Sequence, residues 1–407
     1  MTLPRQPGID DTRAFFREGY EYVGNRCRSL GSDAFRTRIM LHDVVCMMGE
    51  DAARQFYDGV HLTRQGAMPS VTLRLLQDKE SVQSLNGEAH RVRKALFLDL
   101  LGDDAVQEIG DMFANRWRIA LPRWQEQGRI VLHDATARLL CETICAWAGV
   151  PVADHALTRR TREMAAMIDG AGTVGLRAWR ALLLRRRAER WACDALATAR
   201  AQPAKGSPVS RLAHFHGSDG RLLDLDVAAV ELLNLIRPTV AVARFITFAA
   251  LALHEHPEAA VWLDEDQIAR RAAFVDEVRR YYPFFPVIGG RVRSPFRWRE
   301  HDFEYGDWVL LGLHATNYDA RIWHDPERFR PERFINRASS GFDLIPQGAG
   351  EHARDHRCPG EWFTIELIGR ALMALRGTNY RVPEQQLQVP TNRFPTLPCS
   401  GMIFDLS

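Results

Sequence analysis

Gln347-Gly348-Ala349-Gly350-Glu351-His352-Ala353-Arg354-Asp355-His356-Arg357-Cys358-Pro359-Gly360-Glu361-Trp362 is the stretch on which the reading of this chain turns. A glycine-rich loop delivers one cysteine, and Pro359 fits the first position of a helix running through Phe363, Ile365, Leu367, Ile368 and Leu372. A thiol there faces free N–H groups and the positive end of a helix dipole, with His356 and Arg357 beside it, so its pKa is expected to be lowered. A thiolate so placed is a nucleophile or a metal ligand. A cysteine/histidine hydrolase and an inert buried cysteine are the competing readings. Cys27, Cys46, Cys141, Cys145, Cys193 and Cys399 are widely spread with no Cys-x-x-Cys pair, which argues against a disulfide framework and for a reducing, cytoplasmic setting.

Upstream, Asp226 to His256 is apolar nearly all round, the pattern of a helix buried in a core. Into it are set Asn234, Arg237, Pro238 and Arg244. Pro238 lacks an N–H and is expected to kink the helix beside Arg237. A buried guanidinium is costly unless paired, no acid lies one turn downstream, and Glu231 falls on another face. The natural partner of Arg237 is a ligand anion, and the guanidinium fork matches a carboxylate. A structural ion pair with a distant acid is the alternative. Arg244 reads as structural or surface-reaching.

The whole chain has 407 residues, with 53 Lys+Arg against 51 Asp+Glu, a formal net charge of +2. That balance removes the case for a nucleic-acid partner, which needs a large basic excess. The N-terminus lacks the apolar core of an export signal, and Phe245 to Leu253 is far short of the ~18 apolar residues of an integral membrane segment. Helical periodicity dominates 104–282, with helices expected at Ala105–Trp124, Asp134–Trp147 and Leu176–Ala201. Short alternating runs mark a β-rich region over 283–322, followed by the cysteine loop at 346–358 and a final helix at 359–377.

Two further elements fix the family. Glu277-Val-Arg-Arg280 places a carboxylate and a guanidinium on one helix face, and Trp323-His-Asp-Pro-Glu-Arg-Phe-Arg-Pro-Glu-Arg-Phe334 follows. Glu-x-x-Arg, Pro-Glu-Arg-Phe and Arg-Cys-Pro-Gly, in this order, resemble a cytochrome P450 over essentially the whole chain. The resemblance implies a mainly α fold with a small β region, a single domain over 1–407 enclosing haem b. It also implies Cys358 as the axial thiolate and metal ligand, and a buried scaffold triad of Glu277, Arg280 and Arg333. A typical member has Phe seven residues before the cysteine and Gly four before it, where this chain has Glu351 and Arg354. A typical oxygen-activating helix carries an acid followed by Thr, where this chain reads Leu235-Ile-Arg-Pro-Thr-Val. Both departures resemble the fatty-acid peroxygenase branch, with its Arg-Pro and its Gln-Gly-Gly-Gly-type loop; Ala349 stands at the loop's middle glycine.

That branch implies hydrogen peroxide as oxidant, no obligatory redox partner, and a long-chain fatty acid hydroxylated at its α or β carbon. The substrate carboxylate, bound to Arg237 beside Pro238, would supply the missing acid–base group. Gln83 matches a pocket position that is Gln in hydroxylating members and His in members favouring decarboxylation to terminal alkenes. Arg64, His90 and Lys94 carry over as haem-propionate contacts, and Phe284, Phe285, Val287 and Gly290 as flanks of the hydrocarbon chain. An alkene-forming decarboxylase, a monooxygenase fed by redox partners and a haem protein that only binds fatty acids are the alternatives.

Overall fold

The computed structural model describes residues 3–78, 80–264 and 267–407. Helices carry most of the chain, and the expected ones are found as Asp103–Gln127, Leu132–Trp147 and Leu176–Arg200. Asp103–Gln127 opens on two acids at its positive end and stops at Gly128, whose φ of 69° closes the last turn in the left-handed region. At the centre lies Leu225–Ala241, which breaks at Val242 and resumes as Ala243–Glu255. The helix thus runs through Pro238, and the interruption comes four residues later than the proline alone predicts. It packs against Leu176–Arg200, Leu132–Trp147 and Asp154–Gly170, so it needs apolar residues on every side. Leu225–Glu255 is, by length and composition, long and apolar enough to cross a membrane, but 94% of its apolar window is buried inside the protein. The Phe245–Leu253 run understated that apolar length.

Beside the helices is a five-stranded sheet in the order Ala34–Ile39, His42–Met47, Trp308–Gly312, Val287–Val292, Leu62–Thr63. The first two strands lie far outside the stretch whose alternation signals β structure. Their place is set by a parallel pairing across the chain, Val45 opposite Val309. Gly289 lets the sheet meet the segment before it: a Cβ there would sit 2.0 Å from the Ala67 carbonyl oxygen. The final helix, Glu361–Arg376, packs on Asp103–Gln127 and on Ala243–Glu255, which anchors the cysteine loop to the core.

The Glu-x-x-Arg helix is Ile268–Tyr281, and its Glu277 is a fully buried hub. Its carboxylate accepts from Arg280 at 2.7 and 2.8 Å and from the Arg330 backbone N–H at 2.7 Å, and it lies 3.2 Å from Arg333 Nε. Glu277→Ala leaves two guanidiniums without their carboxylate in the interior. The expected loss is about 3–5 kcal/mol, read as a drop in thermal midpoint; an unchanged midpoint would contradict a structural role for the triad.

Candidate active site

The cysteine loop is held by its own backbone. Cys358 N–H donates to the Gln347 carbonyl at 3.0 Å, and Glu351 N–H to Asp355 at 2.7 Å. Gly348 and Gly350 have φ of 94° and 92°, and a Cβ on Gly350 would stand 2.4 Å from the Asp355 carboxylate, so both positions require glycine. Ala349 has no positive φ and buries its methyl among Ile345 and Tyr57, so its departure from glycine costs nothing. The helix begins at Glu361, two residues later than Pro359 suggested, and Cys358 precedes it, its carbonyl accepting the Glu361 N–H at 3.4 Å.

The thiol pKa is raised, contrary to the expectation from sequence. Desolvation in the cavity pushes it up and Glu361 adds to the effect, while the Gly360 N–H, Lys94 and Arg279 pull the other way. Its neighbours do not lower it: Arg357 donates to Glu361 at 2.6 Å, and His356, whose pKa burial holds well below the ordinary value, packs tilted against His90 with ring centroids 4.0 Å apart. Glu361 is also bonded to Arg279; although burial opposes it, Arg279 and Arg357 hold its carboxyl below the usual range. A cysteine in this setting gives up its proton when a metal takes its sulfur.

Cys358 opens into a cavity of about 660 Å³ that Gln83, Asn234, Arg237 and Pro238 also line. Between Ala228 and Ala241 only Pro238 is exposed, and it is exposed to this cavity. Arg237 is buried. Its nitrogens donate to the carbonyls of Leu75 at 3.1 Å and Leu76 at 2.6 Å and to Asn234 Oδ1 at 3.1 Å. Among the described residues no carboxylate forms an ion pair with it, and no Asp or Glu lines the cavity. Burial pulls the guanidinium down to about 9, with the charge of Arg185 adding and that of Glu231 opposing.

Glu231, assigned by helical geometry to another face, nonetheless organises this end of the cavity. It is fully buried and accepts from Val82 N–H at 2.8 Å, Arg93 at 2.6 Å and Asn234 Nδ2 at 3.0 Å. Asn234 Nδ2 also donates to Gln83 Oε1 at 3.1 Å, which leaves Asn234 Oδ1 to accept from Arg237. One carboxylate therefore sets the amide orientation on which both Gln83 and Arg237 depend. Glu231→Gln would let that amide turn over and leave Arg93 unneutralised. It is expected to weaken binding of a fatty acid about tenfold, the worth of one hydrogen bond to a charged group, read by ligand titration of the haem spectrum; unchanged affinity would contradict the linkage.

At the other end Arg64, His90 and Lys94 lie near one another and all are buried, and His90 and Lys94 line the cavity whereas Arg64 does not. Arg64 donates to the Gly289 carbonyl at 3.0 Å, and Lys94 to the carbonyls of Arg357, at 2.9 Å, and Asp355. Burial, then Lys94 and Arg64, pulls His90 down to about 4, and burial pulls Lys94 down to about 8. Phe284, Phe285 and Val287 line the cavity; Gly290 does not. Gly290 is a sheet residue, and a Cβ there would meet the Phe56 ring at 3.0 Å. Arg244 is buried and paired with Asp169, a structural contact. Arg93, Arg279 and Glu361 were missed: each is a buried charge with at least one partner remote in sequence, Glu231 for Arg93, and Arg279 and Glu361 for each other.

A cytochrome P450 family model matches residues 265–375. Among curated proteins, the geissoschizine oxidase of Alstonia scholaris is 26% identical over 171 residues, and a flavonoid-6-hydroxylase of Mentha piperita is 30% identical over 119. These matches span about a third or less of those proteins, 33% and 22%, and 37% and 28% of this chain. Solved structures match throughout. Cytochrome P450SP alpha is 38% identical over 98% of both chains, with a TM-score of 0.94. The chain belongs to the cytochrome P450 family. Cytochrome P450EX alpha, solved with myristic acid, is 34% identical over 100% of this chain and 98% of that one, with a TM-score of 0.95. An OleT variant in complex with arachidonic acid is 29% identical over 100% and 97%, with a TM-score of 0.94. Within the P450 family the chain falls in the fatty-acid peroxygenase branch that its Arg237-Pro238 pair and Gln347 loop resemble.

Haem b with a cysteine thiolate ligand is the cofactor of this family, and the residues present fit it. Cys358 offers a sulfur to the cavity, and the buried cations Arg64 and Lys94 lie close to the neutral His90 ring with no ion-paired acid among the described residues. Such a cluster is relieved by an anionic group, as haem propionates are.

Proposed function

We propose that this protein is a haem-thiolate peroxygenase that hydroxylates long-chain fatty acids at the α or β carbon with hydrogen peroxide, acting as one domain in the cytoplasm without a redox partner. The observation that carries the reading is Arg237, a buried guanidinium that among the described residues has no carboxylate partner, in a cavity that none of their acids lines. Haem bound at Cys358 supplies the redox chemistry, its thiolate ligand favouring O–O cleavage. The residues of the chain do the rest. Arg237, fixed by Asn234 and by the Leu75 and Leu76 carbonyls, holds the substrate carboxylate. Pro238 presents a ring and no N–H, so nothing in its backbone competes for that carboxylate. A carboxylate oxygen held at Arg237 can accept the proton that O–O cleavage must move and return it, the task an acidic side chain performs in a typical member. Pinning the acid end limits reaction to the carbons next to it. Gln83, locked by Asn234, favours 2- or 3-hydroxy acids over terminal alkenes. The free state of all seven cysteines suits a reducing compartment. Haem-loaded protein incubated with a C14 to C16 acid and hydrogen peroxide, without a reductase, is expected to yield hydroxy acid. A dominant alkene would overturn the reading of Gln83, and no turnover would overturn the peroxygenase reading.

A further inference from the structure

The mouth of the cavity carries large apolar side chains that no described residue covers. Leu176, Trp179 and Leu183 are 89%, 67% and 56% exposed. At i, i+3 and i+7 they form one stripe along Leu176–Arg200. Val174, just before the helix, is 77% exposed, and with Trp179 it lines the cavity that holds Cys358. Across the same opening stands the turn between the first two strands. Met40 lines the cavity there, and Leu41 is 68% exposed. The acids beside this turn are engaged: Asp10 accepts the Leu41 N–H at 2.7 Å, and Asp43 lies 3.6 Å from Arg38 and 4.0 Å from Arg5.

The stripe is also basic. Residues 171–190 hold six arginines (Arg177, Arg180, Arg185, Arg186, Arg187 and Arg190) and one acid, Glu189, which is bonded to Arg185 at 2.7 Å. Arg180 and Arg187 follow Leu176 by four and eleven residues, so they share its face, and both are exposed. An apolar stripe flanked by arginine is the pattern of a helix lying on an anionic lipid surface.

We propose that this face docks on the surface of an anionic lipid bilayer, so that fatty acid enters the cavity from the lipid rather than from water. The occupant follows from position and charge. A second copy or a protein seated on these lips would cover the channel mouth, whereas a bilayer is itself a solvent for the substrate. The inference rests on the fatty-acid reading above.

The test is co-sedimentation of the haem-loaded protein with vesicles of phosphatidylcholine alone or mixed with phosphatidylglycerol. Binding is expected to be at least about tenfold tighter to the anionic vesicles and to weaken with salt, since each surface arginine contributes roughly fivefold. Leu41→Ser/Leu176→Ser/Leu183→Ser, at positions that do not line the cavity, is expected to lose about tenfold in vesicle binding and in turnover of vesicle-borne myristic acid. Its turnover of a short acid dispersed in water is expected to be unchanged. Arg180→Glu/Arg187→Glu is expected to abolish the preference for phosphatidylglycerol. Equal binding to both vesicle types, full vesicle binding by the triple variant, or a wild-type dimer that this variant converts to monomer in place of vesicle binding would overturn the proposal. Absent turnover of dispersed acid with intact vesicle binding would overturn the fatty-acid reading and leave the docking face standing.

Discussion

Arg237→Leu is expected to lower peroxide-driven turnover of a C14 acid by at least about 100-fold, because a desolvated Arg–carboxylate pair contributes roughly 3 kcal/mol or more. Two losses combine: the acid is no longer positioned, and the proton carrier is no longer held beside the reacting atoms. The fold should survive. Leu75 and Leu76 lose donors to their carbonyls, at a cost of about 1 kcal/mol each, while the expense of burying an unpaired guanidinium disappears. Turnover should fall while the thermal midpoint moves by only a few degrees. Turnover within a few-fold of wild type would remove Arg237 from the reaction, and collapse of the fold would make it a structural residue.

Cys358→Ala is expected to abolish turnover altogether and to replace the thiolate-ligated haem spectrum with one lacking that ligand. The protein should still fold, because the sulfur accepts only a long contact from Gln347 Nε2 at 3.9 Å among the described side chains, whereas the loop is held by backbone bonds and by Glu361. Retention of the wild-type haem spectrum in this variant would show that another residue carries the iron. The six remaining cysteines offer no substitute: Cys141 and Cys145 lie one turn apart in the buried face of Leu132–Trp147 and do not line the cavity.

What the sequence discloses divides along a physical line. Arg237, Pro238 and Cys358 were legible because each is anomalous in its own neighbourhood, a cation and a proline in an apolar helix and a thiol at a helix mouth, whereas the Glu277–Arg280 pair, ordinary by itself, was legible only in order with Pro-Glu-Arg-Phe and Arg-Cys-Pro-Gly. The long helices were legible because their periodicity is local. The strands Ala34–Ile39 and His42–Met47 were not, because the pairing of Val45 with Val309 is decided by tertiary contact. Glu231 shows the limit of face arithmetic: its carboxylate does not point where Arg237 points, yet it reaches Arg237 through the amide of Asn234. The thiol pKa of Cys358 reversed for a related reason. Burial in the folded cavity raises it first, and Glu361, which also holds Arg357, adds to the effect and outweighs the cations nearby. Gly290 was placed beside the channel by the family resemblance, whereas in the sheet it packs toward the Phe56 ring.

The central claim is that a substrate carboxylate on Arg237 completes the active site, and comparing myristic acid with its methyl ester tests it most directly. Both would be given to the haem-loaded protein with hydrogen peroxide and no reductase. The ester can neither ion-pair with Arg237 nor take up the proton. The acid should yield 2- or 3-hydroxymyristate and the ester at least about 100-fold less product. Ester turnover as fast as that of the acid, or acid turnover only with NAD(P)H, a reductase and dioxygen, would contradict the account.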